Sequence, residues 1–218
     1  MAKRLLTALI GLIFILLGAN ALLSGDIGSG TVVLFAVGFI ALTFLVLSLS
    51  IPDNSSGAPT YWFGYCAFYV IIMLLASVFL LNIMTLPLHE YGHFAAGTVF
   101  GGKGGITYSI SGGETNMVFL SPLSLPALFL YHFMGGFVVF ILLFVVWVLL
   151  RKYGWGATAL LAMAIASLLY GLGEGLTLFN PAYLNPLPLV LTIFVGLFVS
   201  VLVSYKSCGK EVAQLMFQ

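Results

Sequence analysis

The sequence predicts an all-α membrane protein with about six transmembrane helices and a short membrane-associated β strand or hairpin between the third and fourth. Three observations lead there. Of the 218 residues, 62% are hydrophobic and only 6% charged, whereas soluble domains carry about 25% charged and about 45–50% apolar residues. A soluble fold of this length has no interior large enough to hide so much apolar surface. Several apolar runs reach the ~20 residues that cross ~30 Å of hydrocarbon at about 1.5 Å per residue. One segment, residues 101–114, alternates like a strand instead.

The expected spans lie at about residues 5–24, 31–51, 70–99, 123–150, 155–179 and 184–205. At the N-terminus, Lys3-Arg4, the apolar run 5–17 and Ala19-Asn20-Ala21 have the layout of a secretory signal. We read this segment as a retained first helix. The second span is uninterrupted. The third is harder to place, because residues 61–100 contain no charge outside one motif. As one straight helix they would run ~60 Å, twice the hydrocarbon thickness. The aromatic cluster Tyr61, Trp62, Phe63, Tyr65, Phe68 and Tyr69 suits a membrane interface, so the span is expected to begin near residue 70 and to kink at Pro87.

After it, Ile106, Tyr108 and Ile110 alternate with Thr107, Ser109 and Ser111, between glycine pairs at 101–102, 104–105 and 112–113. That period of two reads as a strand or hairpin. The fifth span carries Glu174 among Gly171, Gly173 and Gly175. Asn180-Pro181 and Asn185-Pro186 then lead into the sixth.

The net charge of +1, with no basic block beyond Lys3-Arg4 and Arg151-Lys152, excludes nucleic acid as a partner. Cys66 and Cys208 lie far apart and form no metal spacing; they read as small buried hydrophobes. In a six-span chain Lys3, Arg4, Arg151, Lys152, Lys206 and Lys210 fall on one side and only Lys103 on the other. The positive-inside rule then puts both termini in the cytoplasm of a cell-membrane protein.

The chemistry is concentrated in His89-Glu90-Tyr91-Gly92-His93. Two histidines four apart share one helix face and can take two corners of a tetrahedral zinc site. Glu90, about 100° around the helix, can act on a water held by the metal, which is the H-E-x-x-H logic of metalloproteases. The chain has only three histidines and six acidic residues, and three of these fall within five positions. Each costs about 2.5–3.5 kcal/mol in hydrocarbon unless paired or metal-bound. The alternative is a set of side chains hydrogen-bonded to neighbouring helices.

Zinc needs a third protein ligand and an open position. Glu174 is the only acidic residue in any other expected span. It and His93 lie ~10–12 Å from the outer ends of their spans, and two carboxylates cancel the charge of Zn²⁺. His132 competes for the role at ~15 Å depth. Asn180 can cap a helix or reach the site as a donor.

Together these residues resemble the site-2 protease family of intramembrane zinc metalloproteases. The resemblance covers about residues 70–180. An apolar run leads into His89-Glu90-Tyr91-Gly92-His93-Phe94-Ala95-Ala96-Gly97, and a Gly-rich strand-like loop, a span with Gly135-Gly136 and Glu174-Gly175 follow. The family places Asp where Glu174 stands, after an Asn/Pro-rich lead-in that is absent here. Its members usually open toward the cytosol, whereas the basic residues here place the site nearer the outer face.

The chain is expected to divide into three regions: two N-terminal helices (1–60), a catalytic core of three helices and the strand loop (61–182), and a C-terminal helix and tail (183–218). The resemblance implies hydrolysis of a peptide bond in or near a transmembrane segment of a substrate protein, with Glu90 as catalytic base and zinc held by His89, His93 and Glu174. The bilayer and the substrate are the expected partners. Ile106, Thr107, Tyr108, Ser109 and Ile110 can hold extended substrate by strand addition. The other readings are a membrane zinc hydrolase acting on lipid amide or ester bonds, a metal transporter with the same ligands as a transit site, and a silent scaffold. A lipid would not need the strand, a transporter tends to show internal repeats, and the intact Glu90 speaks against the scaffold.

Overall fold

A computed structural model of the chain describes residues 2–23, 29–50, 60–109, 112–153, 155–180 and 186–205. It is mostly helical, with one small sheet. The helices are α1 (Ala2–Leu23), α2 (Ser29–Ser50), α3 (Thr60–Val99), α4 (Leu125–Leu150), α5 (Trp155–Leu176) and α6 (Pro186–Val203). Strands β1 (Lys103–Ser109) and β2 (Gly112–Val118) lie between α3 and α4, and a short 3-10 turn, Arg151–Tyr153, joins α4 to α5.

Two helices among the described residues, Leu125–Leu150 and Ala157–Leu176, are long and apolar enough to cross a membrane, against the six expected. The stretches Leu6–Ala21, Val33–Leu47 and Leu191–Val203 are apolar but shorter.

α3 corrects a second expectation. It is one helix of 40 residues beginning at Thr60, not near residue 70. Nothing between 60 and 70 stops a helix: there is no proline, and Gly64 is the one glycine. Pro87 stays inside the helix, since proline removes a single backbone donor and neighbouring elements tolerate it.

α5 is the central element, packing against α4, α6 and α3. The core joins Val46 and Leu47 of α2, Ile71 of α3, Val139 and Leu143 of α4, Ala162, Met163 and Ala166 of α5, and Leu197 and Val201 of α6. The alanine-rich face of α5 lets its neighbours approach. Glycine brings the backbones closer still. A Cβ on Gly136 would strike the Ser167 carbonyl and Gly171 of α5, and one on Gly92 would lie 2.5 Å from the Met134 carbonyl oxygen of α4. These two crossings fix α3, α4 and α5 around one point.

Hydroxyls on the helices return to their own backbone. Thr43 bonds to the Phe39 carbonyl at 2.7 Å, Thr85 to Leu81 at 2.8 Å and Ser200 to Leu197 at 2.9 Å. This satisfies a polar group without outside water. The outward side of α4 is apolar and exposed, at Ile141, Leu142, Val145, Val148 and Leu149.

The expected strand is an antiparallel hairpin paired from Lys103↔Val118 to Ser109↔Gly112. It extends past residue 114 to Val118. Paired residues share a face, so Ile106, Tyr108, Gly113, Thr115 and Met117 turn one way while Thr107, Glu114 and Asn116 turn the other. The first set meets α3: Gly97 is so close to Met117 that a Cβ there would sit 2.8 Å from its methyl carbon. Ile110 lies outside the described residues.

Candidate metal centre

His89 and His93 stand one turn apart near the end of α3, and their Nε2 atoms are 3.1 Å apart. Glu174 comes from α5. Its Oε1 is 3.3 Å from His89 Nε2 and its Oε2 3.6 Å from His93 Nε2. Among the described residues these three side chains form a group able to hold a metal, with donor atoms all within 4.8 Å of one another.

The separations test what the group can hold. Zinc bonds of about 2.0–2.2 Å at the tetrahedral angle place neighbouring donor atoms about 3.3–3.6 Å apart. The observed 3.1, 3.3 and 3.6 Å are close to that edge length. The two imidazoles face each other at that spacing and each meets a different oxygen of Glu174, so the three side chains converge on one point from α3 and α5.

The hydrogen bonding around the triad points the same way. His93 Nδ1 lies 2.8 Å from the carbonyl oxygen of Tyr131. A carbonyl only accepts, so Nδ1 carries the proton and the Nε2 lone pair faces the other ligands. Metal-binding histidines are commonly oriented in this way. Glu174 Oε2 is buried and has no hydrogen-bond partner among the described residues, so a buried carboxylate oxygen is left for an ion to satisfy.

Position adds a second demand for positive charge. Glu174 sits in the last turn of α5, where the helix end already carries partial negative charge and that turn holds no basic residue. The chain leaves the helix directly after, with Thr177 Oγ1 donating to the Glu174 carbonyl at 2.6 Å. The fifth helix therefore ends at Leu176, earlier than the expected 179.

Gly135 explains how α4 backs onto the imidazoles: a Cβ there would sit 2.8 Å from His89 Nε2 and closer to His93 Nε2. Any other residue would occupy the place of the donor atoms. Tyr170 lines the α5 side, its ring centroid 5.6 Å from that of His89.

Glu90 is buried, at 7% exposure, and points to the hairpin. Thr115 Oγ1 lies 2.8 Å from its Oε2 and 2.9 Å from its carbonyl oxygen. The Thr115 carbonyl in turn accepts from the Tyr131 hydroxyl at 3.4 Å.

His132 does not join the triad. It lies beside Tyr131 on α4, ring against ring with centroids 5.1 Å apart. Asn180 is exposed beyond α5, its N–H donating to the Leu176 carbonyl at 3.2 Å. In β1, Ile106 is half-buried, Thr107 and Tyr108 are exposed, and the Tyr108 hydroxyl donates to the Pro87 carbonyl at 3.3 Å. Ser109 ends the strand.

Sequence reasoning did not find Thr115, Tyr131 or Gly113. Tyr131 contributes a backbone carbonyl to His93, which any residue could supply. Thr115 sits where apolar alternation has already stopped, and only the docking of β2 on α3 reveals its use. Comparison with protein-family models, curated proteins and solved structures finds no match to this chain.

Proposed function

We propose that the chain is an intramembrane zinc metalloendopeptidase that cuts a peptide bond in or beside a transmembrane segment of another protein. The observation that carries this reading is the convergence of His89, His93 and Glu174, with donor atoms all within 4.8 Å of one another, beside Glu90, which is next in sequence and held apart by Thr115. A transit site has no use for an acidic residue excluded from the ligand set.

His89, His93 and Glu174 hold the ion. Bound there, zinc supplies a Lewis acid that polarises a carbonyl and lowers the pKa of water to about 7. Glu90 accepts the proton as the water oxygen joins the amide carbonyl carbon. It returns that proton to the nitrogen as the C–N bond breaks, so one water is consumed and an acid and an amine leave.

The chain crosses the membrane with its six helices, both termini in the cytoplasm. Arg151 and Lys152 lie at the end of α4 away from the hairpin, which carries Lys103. The apolar outer face of α4 meets lipid. A helical substrate segment hides its amides in its own hydrogen bonds and must unwind before attack. The sheet has two strands among the described residues, so the outer edge of β1 has no strand partner and can receive extended chain.

Two experiments test the reading. Purified protein in lipid vesicles should cleave single-span model substrates, lose that activity to a zinc chelator and regain it with added Zn²⁺. Cleavage unaffected by chelation counts against it. Thr107→Pro in β1 should reduce cleavage at least about tenfold with zinc content unchanged, because proline lacks a ladder donor. Unaltered turnover would remove the strand from the account.

A further inference from the structure

We propose that Thr115 is a positioning residue for Glu90, so that the base is aimed by the hairpin as well as by its own helix. This rests on the reading of Glu90 as the proton acceptor. The Thr115 hydroxyl has one proton and two acceptors within reach, the Glu90 carboxylate at 2.8 Å and the Glu90 carbonyl at 2.9 Å. The carbonyl lies inside α3 and serves the helix ladder. As the proton acceptor the carboxylate acts in its ionised form, and hydrogen bonds to charged acceptors are about twice as strong as neutral ones. Thr115 therefore donates to Oε2. Fixing one oxygen of a planar carboxylate fixes the other.

A second contact restrains the stem of the same side chain. Gly113, two residues earlier on the same face of β2, lies so close that a Cβ there would be 2.6 Å from Glu90 Cγ. The strand thus touches Glu90 at both stem and head. The arrangement also ties the base to a metal ligand. Tyr131 accepts from His93 through its carbonyl and donates to the Thr115 carbonyl through its hydroxyl. His93, Tyr131, Thr115 and Glu90 form one connected chain across α3, α4 and β2.

Thr115 pairs with Ile106 of β1.

The test compares Thr115→Val, which removes the hydroxyl at nearly constant volume, with Thr115→Ser, which keeps it. In zinc-loaded, full-length protein we expect Thr115→Val to lower kcat about 10- to 100-fold, the worth of one hydrogen bond to a charged group. KM for a single-span model substrate and zinc content should stay within about twofold, and Thr115→Ser should recover most of kcat. Wild-type kcat in the valine variant overturns the proposal. So does an equal loss in both variants, which would mark a packing role.

A readout independent of turnover is the infrared spectrum of protein carrying ¹³C-labelled glutamate. Thr115→Val should shift one carboxylate band, and the shift should vanish when the change is made in Glu90→Gln protein. Identical spectra, or a shift that persists without Glu90, overturns the proposal. If the wild-type protein cleaves nothing, the protease reading fails, and the infrared comparison still decides whether Thr115 holds Glu90.

Discussion

Glu174→Ala protein should lose its zinc, with affinity falling by more than about 100-fold. Outer-shell partners of metal ligands are each worth about 10- to 100-fold in affinity, and a ligand removed outright costs more. The two remaining imidazoles cannot make up the loss, because zinc in protein sites of this type keeps three side-chain ligands. The fold should survive. Glu174 lies in the last turn of α5, beyond the Gly136–Gly171 crossing that packs α5 on α4. Removing a carboxylate from a helix C-terminus also relieves an unfavourable interaction with the helix dipole. Zinc content by elemental analysis, alongside thermal unfolding in detergent, separates loss of metal from loss of structure. A variant that keeps full zinc occupancy would show that Glu174 is not a ligand.

Glu90→Gln should do the reverse, keeping zinc while cleavage falls by about 10²- to 10⁴-fold, the usual contribution of a general base. Glutamine has the same shape, and its amide oxygen can still accept the Thr115 hydroxyl, so the hairpin stays docked. It cannot accept a proton from water at neutral pH. Opposed outcomes would separate the roles, with Glu174 governing occupancy and Glu90 governing turnover at constant occupancy. Full activity in Glu90→Gln would end the protease reading whatever the metal content.

Much of the triad is legible in the sequence, because its information is local. Two histidines four apart share a helix face by the geometry of the helix alone. Glu174 was reachable by elimination in a chain with few acidic residues. Its place in the last turn of α5 was not, since the glycines around it extend the apolar pattern without marking where the helix stops. The length of α3 was misjudged for a physical reason. Bilayer thickness argued for a break near residue 70, but the residues from 60 to 70 contain nothing that breaks a helix.

Tertiary contacts were the hidden part. The Gly112–Val118 strand has no apolar alternation, and its partner β1 supplies the pairing that makes it a strand. Thr115 is one hydroxyl among many in the sequence. Its importance comes from the docking of β2 beside Glu90, which no spacing rule encodes. Gly135 stands in the same position: a glycine in a membrane span is common, and only the approach of two imidazoles shows that a side chain there would displace them.

The central claim is that His89, His93 and Glu174 hold zinc, and X-ray absorption at the zinc edge of the purified wild-type protein tests it most directly. The account predicts stoichiometric zinc in four-coordinate geometry, with two imidazole nitrogens and carboxylate oxygen at about 2.0–2.2 Å. Protein isolated without chelator that holds no zinc, or zinc with sulfur neighbours at about 2.3 Å, would contradict it.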